Sequence, residues 1–386
     1  MDWERQSKHD MDAQLDDQQR QVIDDIIRNP DKKYWINGVA GTGKSIVLLR
    51  IAEQLRLRED KPSLLLVTYT NALARMFEFH ASVRQIPVMQ TVDIGQSVKS
   101  GTFETYDYIL LDEFQDAVPS MFFSLAGRSR KGFIFSGDID QQIFANIQQK
   151  GGPILTKSNT SNLHATEYTL NTAHRITRTG LKVSEVILQK PFENVRVVSD
   201  YDSKYYYKVI QDPAQRNNEI HSHVSRYRKV AKPSAVLFHS NDDILSYLEH
   251  HLPEVRPAAV EMYNQYLNEP DSKQYKMSVS TLAKPINDFL RMISSPYRVL
   301  GNDAGLVKEA STSSLIVLST IHSSKGLDFD HVVIASTPKF GTDLSKLMYV
   351  ACTRAKRSTY VLTNSTVGLF ERSDVQSLIS EVSGRF

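Results

Sequence analysis

The chain has 386 residues, 41 % apolar and 23 % charged, enough length and apolar content for two domains with real cores. Its net charge is +2, so a polyanionic partner would have to be held by a local basic groove and not by the charge of the whole. A single cysteine, Cys352, excludes an internal disulfide framework and fits a reducing, cytoplasmic compartment, and no apolar run approaches the roughly 18 residues of a membrane span.

Residues 1–14 are polar, read as a flexible tail and lack the pattern of a signal or transit peptide. A helix is expected from Asp16, the N-cap, with Gln19 three residues on to close a capping box. Tyr34–Ile36, Leu64–Thr68, Tyr108–Leu111 and Gly132–Phe135 read as buried strands, and SIVLLRIAEQL after the first has helical spacing. Near-continuous apolar strands alternating with helices predict an α/β fold with mainly parallel sheets covered on both faces. The polar stretch KSNTSNLHATE, residues 157–167, is the expected boundary between domains of 15–160 and 161–386. A second set of strands follows in EYTL, NVRVV, SAVLF, SLIVLST, HVVIAST and STYVLT, with helices in DDILSYLEHHL and LMYVACTRAK. Residues 253–312 give mixed signals and read as a small irregular insertion.

GVAGTGKS, residues 38–45, matches G-x-x-x-x-G-K-[ST] between an expected strand and an expected helix. Gly38, Gly41, Thr42 and Gly43 would turn backbone N–H groups onto phosphate oxygens at the helix N-terminus. Lys44 would reach the β- and γ-phosphates of ATP, and Ser45 would bind Mg²⁺. Downstream, the apolar run Tyr108–Leu111 ends abruptly in Asp112, Glu113 and Asp116. Ligands of α/β sheets sit beyond the carboxyl ends of strands. That places Asp112 in the Mg²⁺ shell and Glu113 on the attacking water, with Asp116 a neighbour of no derivable role.

These residues, with segments in the same order over nearly the whole chain, resemble the UvrD/Rep-like branch of superfamily 1 helicases. The resemblance implies two tandem RecA-like P-loop domains with ATP bound between them. LDDQQRQVI resembles the family's Q motif, which would set Gln19 on the adenine edge; the alternative is that Gln19 only closes its capping box. LLDEFQD is close to motif II, and SGDIDQQIF resembles motif III, with Gln141 sensing the γ-phosphate. LNTAHRIT resembles motif IV, giving Arg175 as a first arginine finger on the second domain and His174 in the family's Tyr position against adenine. STIHSSKGLDFDHVVI resembles motif V, with Gly326 and Asp328 at the ribose, Asp328 being shorter than the family's Glu. YVACTRAK resembles motif VI and gives Arg354 as the second finger.

The same resemblance implies contacts to single-stranded nucleic acid, DNA rather than RNA, with 3′-to-5′ movement. VTYTNALA resembles motif Ia, so Tyr69 would stack on a base while Thr70 and Asn71 meet the backbone; Tyr69 as a packing residue is the alternative. Thr320 and His322 would add contacts. Phe144 continues motif III, but Ala145, Asn146 and Ile147 follow where the family stacks a Trp. TVDIG, residues 91–95, keeps only the Thr of a family motif, and only Gln96 to Tyr108 separate it from motif II, where larger relatives insert a domain. A motor that needs a protein partner for its wedge, nuclease or targeting function is therefore the alternative reading, and a P-loop kinase a third. The tyrosines of Tyr205–Lys208 could stack or pack, the basic GRSRKG loop at 127–132 could be merely solvated, and His221 with His223, or His250 with His251, are poorly spaced for a metal.

Overall fold

The first helix, α1 (Asp17–Arg28), begins as its sequence dictates: the Asp16 side chain accepts from Gln19 N at 2.7 Å and Gln19 Oε1 accepts from Asp16 N at 3.1 Å. The computed structural model describes residues 15–69, 74, 77, 86–90, 103–143, 155–199, 202–228, 234–267, 279–300, 314–336, 344–363 and 367–383. The tail 1–14, TVDIG and most of the stretch before Tyr106 lie outside them. The chain divides into a first unit, Ala13–Ile176 with Pro191–Asp200, and a second, Thr177–Lys190 with Tyr201–Phe386.

In the first unit β1 (Lys33–Gly38), helix α2 (Lys44–Arg56), β2 (Leu64–Thr68), β3 (Val88–Gln90), β4 (Tyr106–Leu111), helix α3 (Pro119–Arg128) and β5 (Ser129–Ser136) precede helix α4 (Lys157–Ser161) and β6 (Thr166–Leu170). The sheet order is β3-β2-β4-β5-β1-β6, every pairing parallel. Parallel register brings the carboxyl ends of β1, β4 and β5 to one edge, with Trp35 opposite Phe135 and Ile109 opposite Phe133. Beneath it, Trp35, Phe114, Phe122, Phe133 and Phe135 pack as aromatic pairs 5.0–6.2 Å apart, mostly edge to face.

The expected boundary at 160 is corrected. β6 pairs with β1 from Tyr34 opposite Thr166 to Gly38 opposite Leu170, and α1 clips it through Gln18, whose Nε2 donates to Thr169 O at 2.7 Å. β7 (Thr172–Ala173) and β8 (Arg196–Val197) form a parallel pair in the same unit. EYTL and NVRVV therefore belong to the first unit, as does Arg175, which was expected in the second domain. An edge strand exposes most of its side chains, so its sequence is as polar as a linker's.

The second unit holds helix α5 (Arg178–Leu188), β9 (Lys204–Val209), helix α6 (Pro213–Arg228), β10 (Ser234–Phe238), helix α7 (Asn241–His251), helix α8 (Val255–Leu267), helix α9 (Val279–Met292), β11 (Tyr297–Val299), β12 (Ile316–Thr320), β13 (Phe329–Ile334), helix α10 (Leu344–Cys352), β14 (Ala355–Thr363) and helix α11 (Ser373–Ser383). Its sheet, β11-β12-β10-β13-β14-β9, is again parallel throughout. The irregular insertion expected at 253–312 is corrected too: α8, α9 and β11 place Val255, Ala259, Leu282, Ile286, Leu290 and Val299 in this unit's main core. Pro285 inside α9 disguised that helix in the sequence.

The tyrosines of β9 pack: Tyr205 donates to Cys352 O at 3.2 Å, Tyr206 stacks on Tyr360 at 4.4 Å and Tyr207 on Phe370 at 5.0 Å. Among the described residues no helix is long and apolar enough to cross a membrane.

Candidate nucleotide site and strand-contact residues

α2 begins directly behind the glycine-rich loop, with Gly43 at its N-cap in the left-handed region at φ 82°. A Cβ on Gly43 would lie 2.5 Å from Gln19 Nε2, and one on Gly41 would lie 3.0 Å from Ile176 N and 3.2 Å from Arg175 Cβ. Two segments distant in sequence thus press on the loop, α1 from one direction and residues 174–176 from another. His174 N donates to Gly41 O at 2.9 Å.

Gln19 does more than cap. While Oε1 accepts from Asp16 N, Nε2 donates to Thr42 O at 3.1 Å, tying α1 to the loop. An amide has two donor hydrogens and two lone pairs, so the capping box uses only part of its capacity and the two sequence readings are compatible. His174 joins the network, its Nε2 2.7 Å from Asp16 Oδ2.

Lys44 is buried, and its Nζ donates to Gly38 O at 2.7 Å and Val39 O at 3.0 Å. Burial depresses its ammonium; Asp138, Glu113 and Asp112 oppose that, and Arg175 reinforces it. Arg175 is thus near enough to the loop lysine to repel it.

Asp112, beyond the end of β4, accepts from Ser45 Oγ at 2.6 Å through Oδ2 and from Ser136 Oγ through Oδ1. Burial, and then the neighbouring Glu113, raise its carboxyl above the usual range. A hydroxyl and a carboxylate beside a phosphate loop are the all-oxygen donors a hard divalent cation takes, with water and phosphate oxygens completing its shell. The described residues contain no cluster of three or more His, Cys, Asp or Glu that could hold a metal ion.

Glu113 stands in the left-handed region at φ 54°, ψ 42°, a strain of about 1–2 kcal/mol for a non-glycine residue. It turns the chain from β4 into a short 3₁₀ helix, Phe114–Asp116. Its Oε2 accepts from Gln115 Nε2 at 2.5 Å. Gln141, in a second 3₁₀ turn beyond β5, donates to Asp138 Oδ2 at 3.0 Å. Asp116 gains a role: its Oδ1 accepts from Ile143 N at 3.2 Å and anchors the chain leaving that turn.

Sequence reasoning passed over Ser136, Asp138 and Gln115. All three lie inside the SGDIDQQIF and LLDEFQD strings already singled out, and only tertiary contact separates them from their neighbours.

In the second unit Arg354 is buried, donating through Nε to Val350 O at 3.0 Å, through Nη1 to Leu327 O at 3.0 Å and through Nη2 to Thr353 Oγ1 at 3.1 Å. It binds the end of α10 to the turn holding Gly326, at φ 84°, and Asp328. Thr320 ends β12 and donates to Ser323 Oγ at 2.9 Å, with His322 in the turn that follows.

Tyr69 is half-buried just beyond β2; burial, and then Asp116, push its phenol upward. Thr70, Asn71 and Phe144 lie outside the described residues. The basic stretch 127–132, read as a loop in the sequence, is the junction of α3 and β5, where Arg130 pairs with Asp107 at 3.3 Å and Lys131 with Asp60 at 3.2 Å.

The UvrD-like helicase C-terminal domain model matches residues 136–366, about three-fifths of the chain, and an AAA domain model matches residues 19–146. The chain belongs to the UvrD-like helicase family. Solved structures similar to it include the PRRSV helicase, 13 % identical with a TM-score of 0.44 over 92 % of this chain and 56 % of that one. Arterivirus nonstructural protein 10 (helicase) is also 13 % identical. Its complex with DNA has a TM-score of 0.42 over 88 % of this chain and 63 % of that one; the protein without DNA has 0.44 over 92 % and 63 %. The chain therefore spans 56–63 % of the length of these structures. No curated protein matches it.

Proposed function

We propose that the protein is an ATP-driven motor that moves on single-stranded nucleic acid, DNA in preference to RNA and in the 3′-to-5′ direction. The observation carrying this reading is Lys44, buried on the phosphate loop and facing Asp112, Glu113 and Asp138 while Ser45 bonds Asp112. In this reading the loop N–H groups and Lys44 take the phosphates, while Gln19 and His174 hold the base, with Gly326 and Asp328 at the ribose. Ser45 and Asp112 would hold Mg²⁺, which when bound offsets phosphate charge.

Glu113 accepts the proton of the attacking water as its oxygen bonds to the γ-phosphorus and ADP departs. Gln141 senses the γ-phosphate, and Arg175 and Arg354 stabilise the charge that develops there. Tyr69, Thr70, Asn71, Phe144, Thr320 and His322 meet the strand, where stacking is worth about 1–3 kcal/mol per base and needs no sequence reading.

The test is ATP turnover with single-stranded DNA, with single-stranded RNA and with neither. Strand-stimulated turnover that falls at least about 100-fold in Glu113→Gln is the expected result. Turnover indifferent to any strand overturns the motor reading. Tailed duplexes with each overhang then read direction, and unwinding by the chain alone removes the need for a partner.

A further inference from the structure

The buried group that the proposed chemistry leaves unused is Gln115. It lies two residues past Glu113 and is fully buried. Every polar part of its side chain is engaged at a functional element. Nε2 donates to Glu113 Oε2 at 2.5 Å, while Oε1 accepts from Asp138 N at 3.2 Å, at the head of the turn carrying Gln141. Its carbonyl accepts from Gln142 Nε2 at 2.7 Å, on the far side of that turn.

Gly137 makes room for this bridge. A Cβ there would fall 1.9 Å from Gln115 Oε1 and 2.8 Å from Phe114 Cδ1. Nothing in the backbone conformation at 137 demands glycine, since its φ lies outside the left-handed region. What demands it is first the amide of Gln115 and then the Phe114 ring, both too close for a Cβ.

A buried side chain with both ends committed cannot drift, and a carboxylate it grips is held in one orientation. We propose that Gln115 is a positioning residue for hydrolysis: it fixes Glu113 toward the attacking water and links that orientation to the turn of Asp138 and Gln141. The proposal rests on the reading of Glu113 as the residue that takes the water's proton. In this role Gln115 acts through Glu113 and the turn of Asp138, its protein partners. Its loss slows turnover without weakening nucleotide binding.

Steady-state ATP hydrolysis by the full chain, with saturating single-stranded DNA, tests this in Gln115→Met, Gln115→Glu and Gly137→Ala. Gln115→Met keeps the volume and removes both polar ends; kcat is expected to fall about tenfold to a hundredfold with KM for ATP within about twofold of wild type. Gln115→Glu keeps an acceptor for Asp138 N but has no hydrogen to give Glu113, so it should fall as far. Gly137→Ala displaces the amide without touching Glu113 and should show the same split.

The double variant Gln115→Ala/Gly137→Ala decides between positioning and plain packing. Removing the amide removes the nearest obstacle but leaves the Phe114 ring 2.8 Å from the new Cβ, so the loss in the double variant should fall short of the sum of the two single losses. A kcat within about twofold of wild type in Gln115→Met and Gln115→Glu overturns the proposal, as do additive losses in the double variant. So does a rise in KM that accounts for the whole loss. Binding of a fluorescent ATP analogue and a thermal melt accompany each variant; failure of both in Gln115→Met passes the decision to Gln115→Glu and Gly137→Ala. A wild type that turns over no ATP overturns the reading of Glu113 and the proposal with it, whereas an active wild type with an unaffected Gln115→Met overturns the proposal alone.

Discussion

Asp112 shows how a residue that would serve a ligand costs the protein without one. Its neutral form is favoured in the fold, because burial and Glu113 raise its carboxyl while Ser136, Ser45 and Lys44 only partly compensate. For a group raised on folding, stability is fully present below the unfolded value, 3.8, and is lost as pH rises through the folded one, about 6. Asp112→Asn should therefore stabilise the ligand-free protein at pH 7.5, by an amount on the order of 1–3 kcal/mol read as a rise in its thermal midpoint, with the gain vanishing near pH 4. The same change should abolish stabilisation by Mg²⁺-ATP, and differential scanning fluorimetry across pH reads both. Glu113 is strained in the same sense, a β-strand end twisted into the left-handed region where the acidic string alone gives no hint of it.

Among elements, the packing of α6, α7 and β11 places three histidines together that sequence spacing had set aside. His221 and His251 lie with ring centroids 4.9 Å apart, and His250 meets His251 edge-on at 4.7 Å. Tyr297 bonds His221, and the Tyr247 hydroxyl lies 3.0 Å from that of Tyr297. His251 Nε2 is buried with no partner among the described residues, and burial, then His221 and His250, hold its imidazole down to about 4. A depressed histidine contributes stability present above its unfolded value, 6.5, and lost as pH falls toward the folded one. The unfolding midpoint of the second unit is expected to drop between about pH 6.5 and 4, and His251→Phe should flatten that drop. A midpoint that falls equally in His251→Phe would show the acid sensitivity to lie elsewhere. The spacing argument found each pair poorly placed for a metal; it could not show that α6 and α7 bring His221 to His251.

At the scale of the whole molecule, each sheet has its own apolar core, one built on Trp35, Phe114 and Phe135 and the other on Val236, Leu318 and Ile286. Calorimetry without ligand should therefore resolve two transitions. In a Trp3→Phe background, fluorescence of Trp35 should follow one of them alone. Mg²⁺-ATP at about 100 times its Kd should raise that transition by roughly 5–10 °C. A single transition shared by all probes would count against independent cores. The sequence by itself determined the α/β class, the phosphate loop, the acidic string after β4 and most buried strands, because glycine spacing and continuous apolar runs are local properties. It also determined the N-cap of α1, again a matter of four consecutive residues. Only the tertiary structure decided that β6 and Arg175 belong with the phosphate loop, since a polar edge strand and a linker look alike until a partner strand is present. Only it placed α8 and α9 in the core, where packing overrode the proline that hid the helix. It alone brought Ser136, Asp138 and Gln115 to the acidic residues, because parallel strands far apart in sequence deliver their carboxyl ends to one edge only once the sheet has formed.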